Sequence, residues 1–140
     1  MFSYALLKPY LMQDSYIAMI DDDEDDVAIL KDCFEKYHSI SIKSFPSGQK
    51  FLNSDFNESL PCLIVLDLNL YDIRGTDFIE RIRANSSIAH VPVIVYTADY
   101  SLRDKVNCDD LQIQLLHKPA TFLEWDHIAA LMAQNCEQAV

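Results

Sequence analysis

The chain has 140 residues, half of them apolar, and a formal net charge of −11 at pH 7. This length fits a single domain that can bury its own hydrophobic core. The negative charge disfavours direct binding of DNA or RNA, because contact with a phosphate backbone depends on Lys and Arg. No stretch of the sequence approaches the roughly 20 consecutive apolar residues that span a bilayer, and residues 1–15 lack the features of a secretory signal.

The four cysteines, Cys33, Cys62, Cys108 and Cys136, are far apart and form no CxxC pair. They lie mostly within apolar patterns, which favours buried reduced thiols. Reduced thiols indicate a cytoplasmic location.

The predicted elements begin with an apolar run over Ser15 to Ile20 that stops at acidic residues. Val27, Leu30 and Phe34 then recur at helical spacing, so the pattern predicts a strand, a loop and a helix. Residues 40–45 alternate between apolar and polar like a strand near a sheet edge. A break at 46–48 precedes a second, weaker helix that would carry Phe51, Leu52 and Phe56.

The next run, Cys62 to Leu70, is apolar except for Asp67 and Asn69. Such a run is typical of a strand buried on both faces, and an ionised carboxylate buried there without a partner is costly. Asp67 is therefore expected at the carboxyl end of this strand, where parallel α/β sheets open onto a binding crevice. A third helix, with apolar positions at Phe78, Ile79 and Ile82, follows Gly75.

Residues 91–96 form another β-branched run that ends before Thr97. A short helix is predicted between residues 99 and 107, and residues 111–116 alternate like a strand. The final amphipathic helix carries Phe122, Trp125 and Met132, with Trp125 expected in the core. Five strands alternating with five helices indicate an α/β fold with a parallel, doubly wound sheet and right-handed crossovers.

Polar groups stand where four of these apolar runs stop. They are Asp21 and Asp22 after the first strand, Asp67 after the third, Thr97 after the fourth and Lys118 after the fifth. The carboxyl ends of parallel strands share one sheet edge, so these side chains should converge. Three carboxylates in one crevice repel each other unless a cation is bound, and oxygen ligands favour Mg²⁺. The backbone carbonyl of Asn69 is an additional candidate ligand.

The chemistry that suits this set is phosphoryl transfer onto Asp67. A carboxylate can act as the nucleophile, and the divalent ion can neutralise charge on the transferring oxygens. Lys118 and the Thr97 hydroxyl can each hold one of those oxygens.

The order and local sequence of these motifs resemble the receiver domain of two-component response regulators. The matching residues are the acidic pair in Ile20–Asp26, the phosphoacceptor in Leu66–Asn69, the hydroxyl in Val95–Ala98 and the cis-prone Lys118-Pro119. The resemblance covers residues 16–136, leaving an N-terminal extension over 1–15 and a C-terminal tail over 137–140. It implies a flavodoxin-like fold with strand order 2-1-3-4-5.

The resemblance also implies a sensor histidine kinase or histidine phosphotransfer protein as the phosphodonor, with Mg²⁺ or Mn²⁺ as the metal and later hydrolysis to reset Asp67. No separate enzymatic substrate is expected. Because the sequence ends soon after the last helix, we expect output by contact with a downstream protein, and the resemblance is compatible with a homodimer.

Three departures from the family pattern affect the conformational switch that the resemblance implies. Leu115 stands where relatives carry an aromatic residue, and Tyr71 stands where the loop after the phosphoacceptor usually has a proline. Tyr96 could substitute for the aromatic residue, although its side chain should point to the other side of the strand from Thr97. The usual glycine before the fifth strand is also missing.

Two alternatives remain open at this point. A haloacid-dehalogenase-type phosphatase would use Asp21 as nucleophile and Asp23 as acid, but Asp25 stands where that family expects Thr or Val. A pseudo-receiver would keep the fold as a binding module without the switch. Met12 is, in addition, a candidate for the native start.

Overall fold

The computed structural model of the protein describes residues 15–139, with side chains described through residue 137. The predicted extension up to residue 14, including the candidate start at Met12, lies outside the described residues. The boundaries proposed at 15 and 137 therefore stay predictions.

The described chain alternates strands and helices, and its five strands are parallel in the order β2-β1-β3-β4-β5. This confirms the predicted sheet and its strand order. The elements are β1 (Tyr16–Ile20), α1 (Glu24–Tyr37), β2 (Ser41–Phe45), α2 (Gly48–Leu52), β3 (Pro61–Leu66), α3 (Gly75–Ala84), β4 (Val93–Thr97), α4 (Leu102–Asp110), β5 (Gln114–His117) and α5 (Phe122–Ala139).

The strands β1, β3 and β4 are buried along their whole length, whereas β2 and β5 are largely exposed. This difference follows from the sequence, because the three central strands are continuous apolar runs and the two edge strands contain polar residues. The three central strands consequently end beside one another in the middle of the sheet, at its carboxyl edge.

Helices cover both faces of the sheet and divide the core into two layers. One layer packs against α2 and α3, with Phe51 and Phe78 fully buried. The other packs against α1 and α5 and contains Phe34, Tyr96 and Trp125. Trp125 is thus in the core, as predicted, and Tyr96 lies in the layer next to α1 and α5, whereas Leu115 packs against the other layer.

Three predicted element boundaries were wrong. Helix α2 ends at Leu52, so Phe56 packs against the core from outside the helix. Helix α4 begins at Leu102, where Ser101 caps it, and continues to Asp110. Leu111 is 46% exposed and precedes β5, because Gln112 adopts a left-handed conformation with φ 56° in place of the missing glycine.

The expectation of four reduced thiols was also wrong. Cys62, in β3, and Cys136, in α5, form a disulfide across a sequence separation of 74 residues, while Cys33 and Cys108 are buried free thiols. Spacing along the chain did not reveal this pair, because the fold brings the two residues together. The cysteines therefore no longer support a reducing compartment.

Two further observations concern backbone and helices. The peptide bonds of the described residues are all trans. This includes the Lys118-Pro119 bond, for which the resemblance suggested a cis form. Within the same residues, no helix combines the length and apolarity needed to cross a membrane.

Candidate functional site

Burial singles out the candidate site. Between residues 15 and 137, the polar or charged side chains that are buried are Asp21, Ser47, Asp67, Thr97 and Lys118. Ser47 caps α2. The other four are among the five residues predicted at strand ends, and the structure brings them together at the carboxyl edge of the sheet. The fifth, Asp22, is exposed.

Backbone hydrogen bonds between strands position these residues. The Asp67 N–H donates to the Ile20 carbonyl (3.0 Å), and the Lys118 N–H donates to the Thr97 carbonyl (2.8 Å). The Asp21 N–H likewise donates to the Phe45 carbonyl at 3.1 Å. The ladder therefore extends just past the strands and holds each functional residue at the point where its strand ends.

Lys118 is the electrostatic centre of the site. Its Nζ donates to Asp26 Oδ2 (2.9 Å) and Asp67 Oδ2 (3.0 Å), and it lies 2.8 Å from Asp21 Oδ2. Burial alone would lower the pKa of Lys118, but its contacts with the three carboxylates outweigh that effect and hold the pKa above its usual value. Lys118 is thus the charged partner of all three carboxylates.

Both oxygens of Asp67 are engaged. Oδ1 accepts hydrogen bonds from the Asn69 N–H (3.0 Å) and from Thr97 Oγ1 (2.9 Å), and Oδ2 accepts from Lys118. The Asn69 side-chain amide also donates to Thr97 Oγ1 at 3.2 Å. A phosphoryl group on Asp67 would therefore find an ammonium, a hydroxyl and an amide already beside it.

Asp21 is less completely satisfied than Asp67. Its Oδ1 accepts from the Asp23 N–H at 2.9 Å. Its Oδ2 is buried without a hydrogen-bond partner, so the contact with Lys118 is purely an ion pair. Burial raises the pKa of Asp21, against the lowering effect of Lys118. A buried carboxylate oxygen in this situation is suited to a bound cation.

The residues predicted to hold a metal fit Mg²⁺ by chemistry. Asp21 provides a buried oxygen that accepts no hydrogen bond, and exposed Asp22 lies next to it. Both residues line an open cavity of about 340 Å³, whose lining does not include Asp67. Over residues 15–137, no three carboxylate, imidazole or thiolate groups already form a metal-ligating cluster. Lys118 pairs with both Asp21 and Asp67 in this structure.

Asp26 is a residue of the site that the sequence did not single out within the acidic run Asp21–Asp26. The signal was present in the helical period, since Asp26 lies four residues before buried Leu30 and eight before buried Phe34. It therefore lies on the face of α1 that turns towards the sheet.

Asp23 is the N-cap of α1, and its carboxylate accepts from the Asp25 and Asp26 N–H groups.

The positions that depart from the family pattern lie around the site. Leu115 is half-buried. Tyr71 is 74% exposed in the loop after β3, and its neighbour Asp72 accepts from the Gly48 and Gln49 N–H groups at the start of α2. The loop is therefore tied to α2. The four histidines, His38, His90, His117 and His127, are exposed or half-buried.

Comparison with known proteins agrees with this geometry. The chain is 31% identical to a two-component response regulator from Legionella pneumophila whose structure is solved, covering 84% of this chain and 99% of that one with a TM-score of 0.67. It also resembles the solved structure of the Mn²⁺-bound form of response regulator Rcp1, with 20% sequence identity and a TM-score of 0.73. That match covers 85% of this chain and 94% of the Rcp1 chain.

Among curated proteins, the chain is 25% identical over 116 residues to the sensor histidine kinase TmoS of Ectopseudomonas mendocina. The match covers 81% of this chain but only 12% of that protein's length. The family model of the response regulator receiver domain matches residues 17–127. On this match and this fold, the chain belongs to the response regulator receiver domain family.

Proposed function

We propose that the chain is a phosphoacceptor in a two-component or phosphorelay system, with Asp67 as the residue that is phosphorylated. The observation that carries the proposal is the setting of Asp67, a buried carboxylate with Thr97 Oγ1 at 2.9 Å and Lys118 Nζ at 3.0 Å. A buried carboxylate with an ammonium and a hydroxyl beside it suits acceptance of a phosphoryl group.

In this proposal an Asp67 oxygen attacks the phosphorus of a phosphohistidine, the P–N bond breaks, and an acyl phosphate forms. Lys118 pairs with one phosphoryl oxygen, and Thr97 donates to another. Asp21, Asp22, Asp67 and the Asn69 carbonyl would hold Mg²⁺ or Mn²⁺. The bound ion would neutralise charge on the phosphoryl oxygens. Water later cleaves the acyl phosphate and restores the Asp67 carboxylate.

The phosphodonor in this proposal is a sensor histidine kinase or a histidine phosphotransfer protein. Membership of the receiver family supports it, and so does the similarity to a segment of a sensor histidine kinase. The proposal places the reaction in the cytoplasm and gives the chain no separate substrate of its own. Output is by contact with a downstream protein, or with a second copy of the chain.

The test is phosphorylation by acetyl phosphate or a cognate kinase with Mg²⁺, read by intact mass and peptide mapping. We expect one acid-stable, hydroxylamine-labile phosphoryl group on Asp67, lost in Asp67→Asn and retained in Asp77→Asn, which changes an exposed aspartate in α3. Removal of Mg²⁺ by a chelator should abolish the labelling. Labelling at Asp21 would support the phosphatase alternative, and no labelling under any condition would support a pseudo-receiver.

A further inference from the structure

Lys118 has one more carboxylate partner than the proposed phosphoryl transfer uses. Asp21 and Asp67 belong to the proposed metal site, but Asp26, on the first turn of α1, does not. Its Oδ2 is nevertheless 2.9 Å from Lys118 Nζ, as close as the other two carboxylates. The side chain of Asp26 is 23% exposed, so it reaches Lys118 from the rim of the site.

The metal and Lys118 compete for the same ligands. Lys118 Nζ lies 2.8 Å from Asp21 Oδ2 and 3.0 Å from Asp67 Oδ2, and these carboxylates would have to turn to a bound cation. A buried ammonium that loses its partners without replacement is strongly destabilised. Metal binding at this site would therefore weaken the pairing of Lys118 with Asp21 and Asp67, and another anion beside Lys118 would offset that loss.

Tyr96 adds a second contact on the same side of the sheet as Asp26. Its ring centroid lies 5.6 Å from Lys118 Nζ, and its ring packs edge-on against Trp125 at 6.0 Å. Its hydroxyl is buried without a hydrogen-bond partner. The ring face can interact favourably with an ammonium, and Trp125 fixes the position of that ring.

We propose that Asp26 is a positioning residue for Lys118. Together with the Tyr96 ring it keeps Nζ paired when Asp21 and Asp67 bind the cation, and it so lowers the energetic cost of metal binding. This inference rests on the proposed function, because it concerns the proposed metal site. It assigns a role to a carboxylate that neither binds the metal nor accepts the phosphoryl group.

Direct binding of Mg²⁺, or of Mn²⁺ as a paramagnetic probe, tests the proposal without any phosphodonor. Asp26→Asn leaves Lys118 with Asp21 and Asp67 alone, so Lys118 competes more strongly with the cation. We expect the dissociation constant of Mg²⁺ to rise about tenfold, in line with coupling energies of contacting charges. The matched control is Asp25→Asn, which removes the same charge from the preceding residue, an exposed one that is not among the ion-pair partners of Lys118.

The Asp25→Asn variant should raise the dissociation constant by no more than about twofold, which is the effect of a screened exposed charge. Equal weakening by the two variants would overturn the proposal. A double-mutant cycle with Lys118→Met gives a second criterion, since the effect of Asp26→Asn should fall to that of Asp25→Asn once Lys118 is absent. Persistence of the full effect in that background would contradict the proposed role.

The same titration separates this inference from the proposed function. If the wild-type chain binds Mg²⁺ and Asp26→Asn binds it equally well, the role of Asp26 is refuted while the metal site stands. If the wild-type chain binds neither Mg²⁺ nor Mn²⁺, the proposed metal site is refuted, and the role of Asp26 with it.

Discussion

A single ammonium group contacts three carboxylates at the carboxyl edge of the sheet. Asp21 and Asp67 have side chains that are only 1% and 8% exposed, so neither can rely on water if Lys118 is removed. Removing one partner of a buried ion pair leaves an uncompensated charge, which is usually much more costly than the pair itself was favourable.

We therefore expect Lys118→Met to lower the free energy of unfolding by about 3–5 kcal/mol without metal. Saturating Mg²⁺ should restore part of this loss, because the cation takes over the charge balance of Asp21 and Asp67. Urea unfolding with and without Mg²⁺ measures both effects. Lys105→Met, in an exposed part of α4, is the control and should change stability little. A Lys118→Met variant as stable as the wild type would contradict the charge balance described here.

At the residue scale, the sequence predicted most of the site. Asp67 and Lys118 were predictable because each follows an apolar run, and a parallel sheet brings such positions to one edge. Asp26 was not singled out, since it belongs to a run of six acidic residues and the sequence does not show which of them face inward. The structure confirms that Asp21, Asp67, Thr97 and Lys118 are buried together, whereas the roles predicted for them, for Asp22 and for the Asn69 carbonyl stay predictions.

At the level of elements, the loop after β3 is fixed to the start of α2. Asp72 accepts from the Gly48 N–H (3.2 Å) and the Gln49 N–H (3.0 Å), and Ser47 accepts from the Lys50 N–H (3.2 Å). A helix of five residues has few internal hydrogen bonds, so these caps supply much of what holds it. The loop and α2 should accordingly move as one unit.

Replacing Asp72 with alanine should lower the free energy of unfolding by about 1 kcal/mol, the usual cost of a lost cap. It should also speed amide hydrogen exchange at Gly48 and Gln49, whose N–H groups lose their acceptor. Asp32→Ala, on the exposed surface of α1, is the control and should stay within about 0.5 kcal/mol of the wild type. Unchanged exchange at both amides would show that water replaces this cap without loss.

The turn before β5 is a feature that the sequence did not predict. Gln112 carries a positive φ of 56°, a conformation that costs an L-residue about 1–2 kcal/mol and glycine almost nothing. The prediction placed residue 111 in the strand because apolar alternation continues through it. Alternation alone cannot reveal a left-handed residue.

Gln112→Gly should therefore raise the midpoint of thermal unfolding slightly, with a net gain below about 1 kcal/mol after the entropy cost of glycine. The matched control is Gln114→Gly in β5, where the backbone is extended and the same change should lower the midpoint. If both variants lower the midpoint of thermal unfolding equally, the left-handed conformation of Gln112 carries no strain that glycine relieves.

At the level of the whole molecule, the Cys62–Cys136 disulfide joins the central strand to the last helix. It closes a loop with a sequence separation of 74 residues, and both cysteines are buried. Long loops are those in which a crosslink most restricts the unfolded chain. No sequence pattern could show this pair, since its two members meet only after β3 and α5 have packed together.

Oxidised wild-type protein should be more stable than Cys136→Ser by about 2–4 kcal/mol. Protein that has been unfolded, reduced and refolded in reductant should lose most of that difference, whereas Cys136→Ser should not respond to reductant. Urea unfolding with parallel thiol counting by mass spectrometry measures both. Four titratable thiols in protein purified without reductant would contradict the disulfide.

The ion pairs of Lys118 also affect how the protein is made. Its partners Asp26 and Asp67 lie 92 and 51 residues earlier in the chain. Synthesis runs from the N-terminus, so Asp21, Asp26 and Asp67 all leave the ribosome well before the lysine that neutralises them. A nascent chain that ends before β5 would therefore carry these carboxylates without the ammonium group that pairs with them in the folded protein.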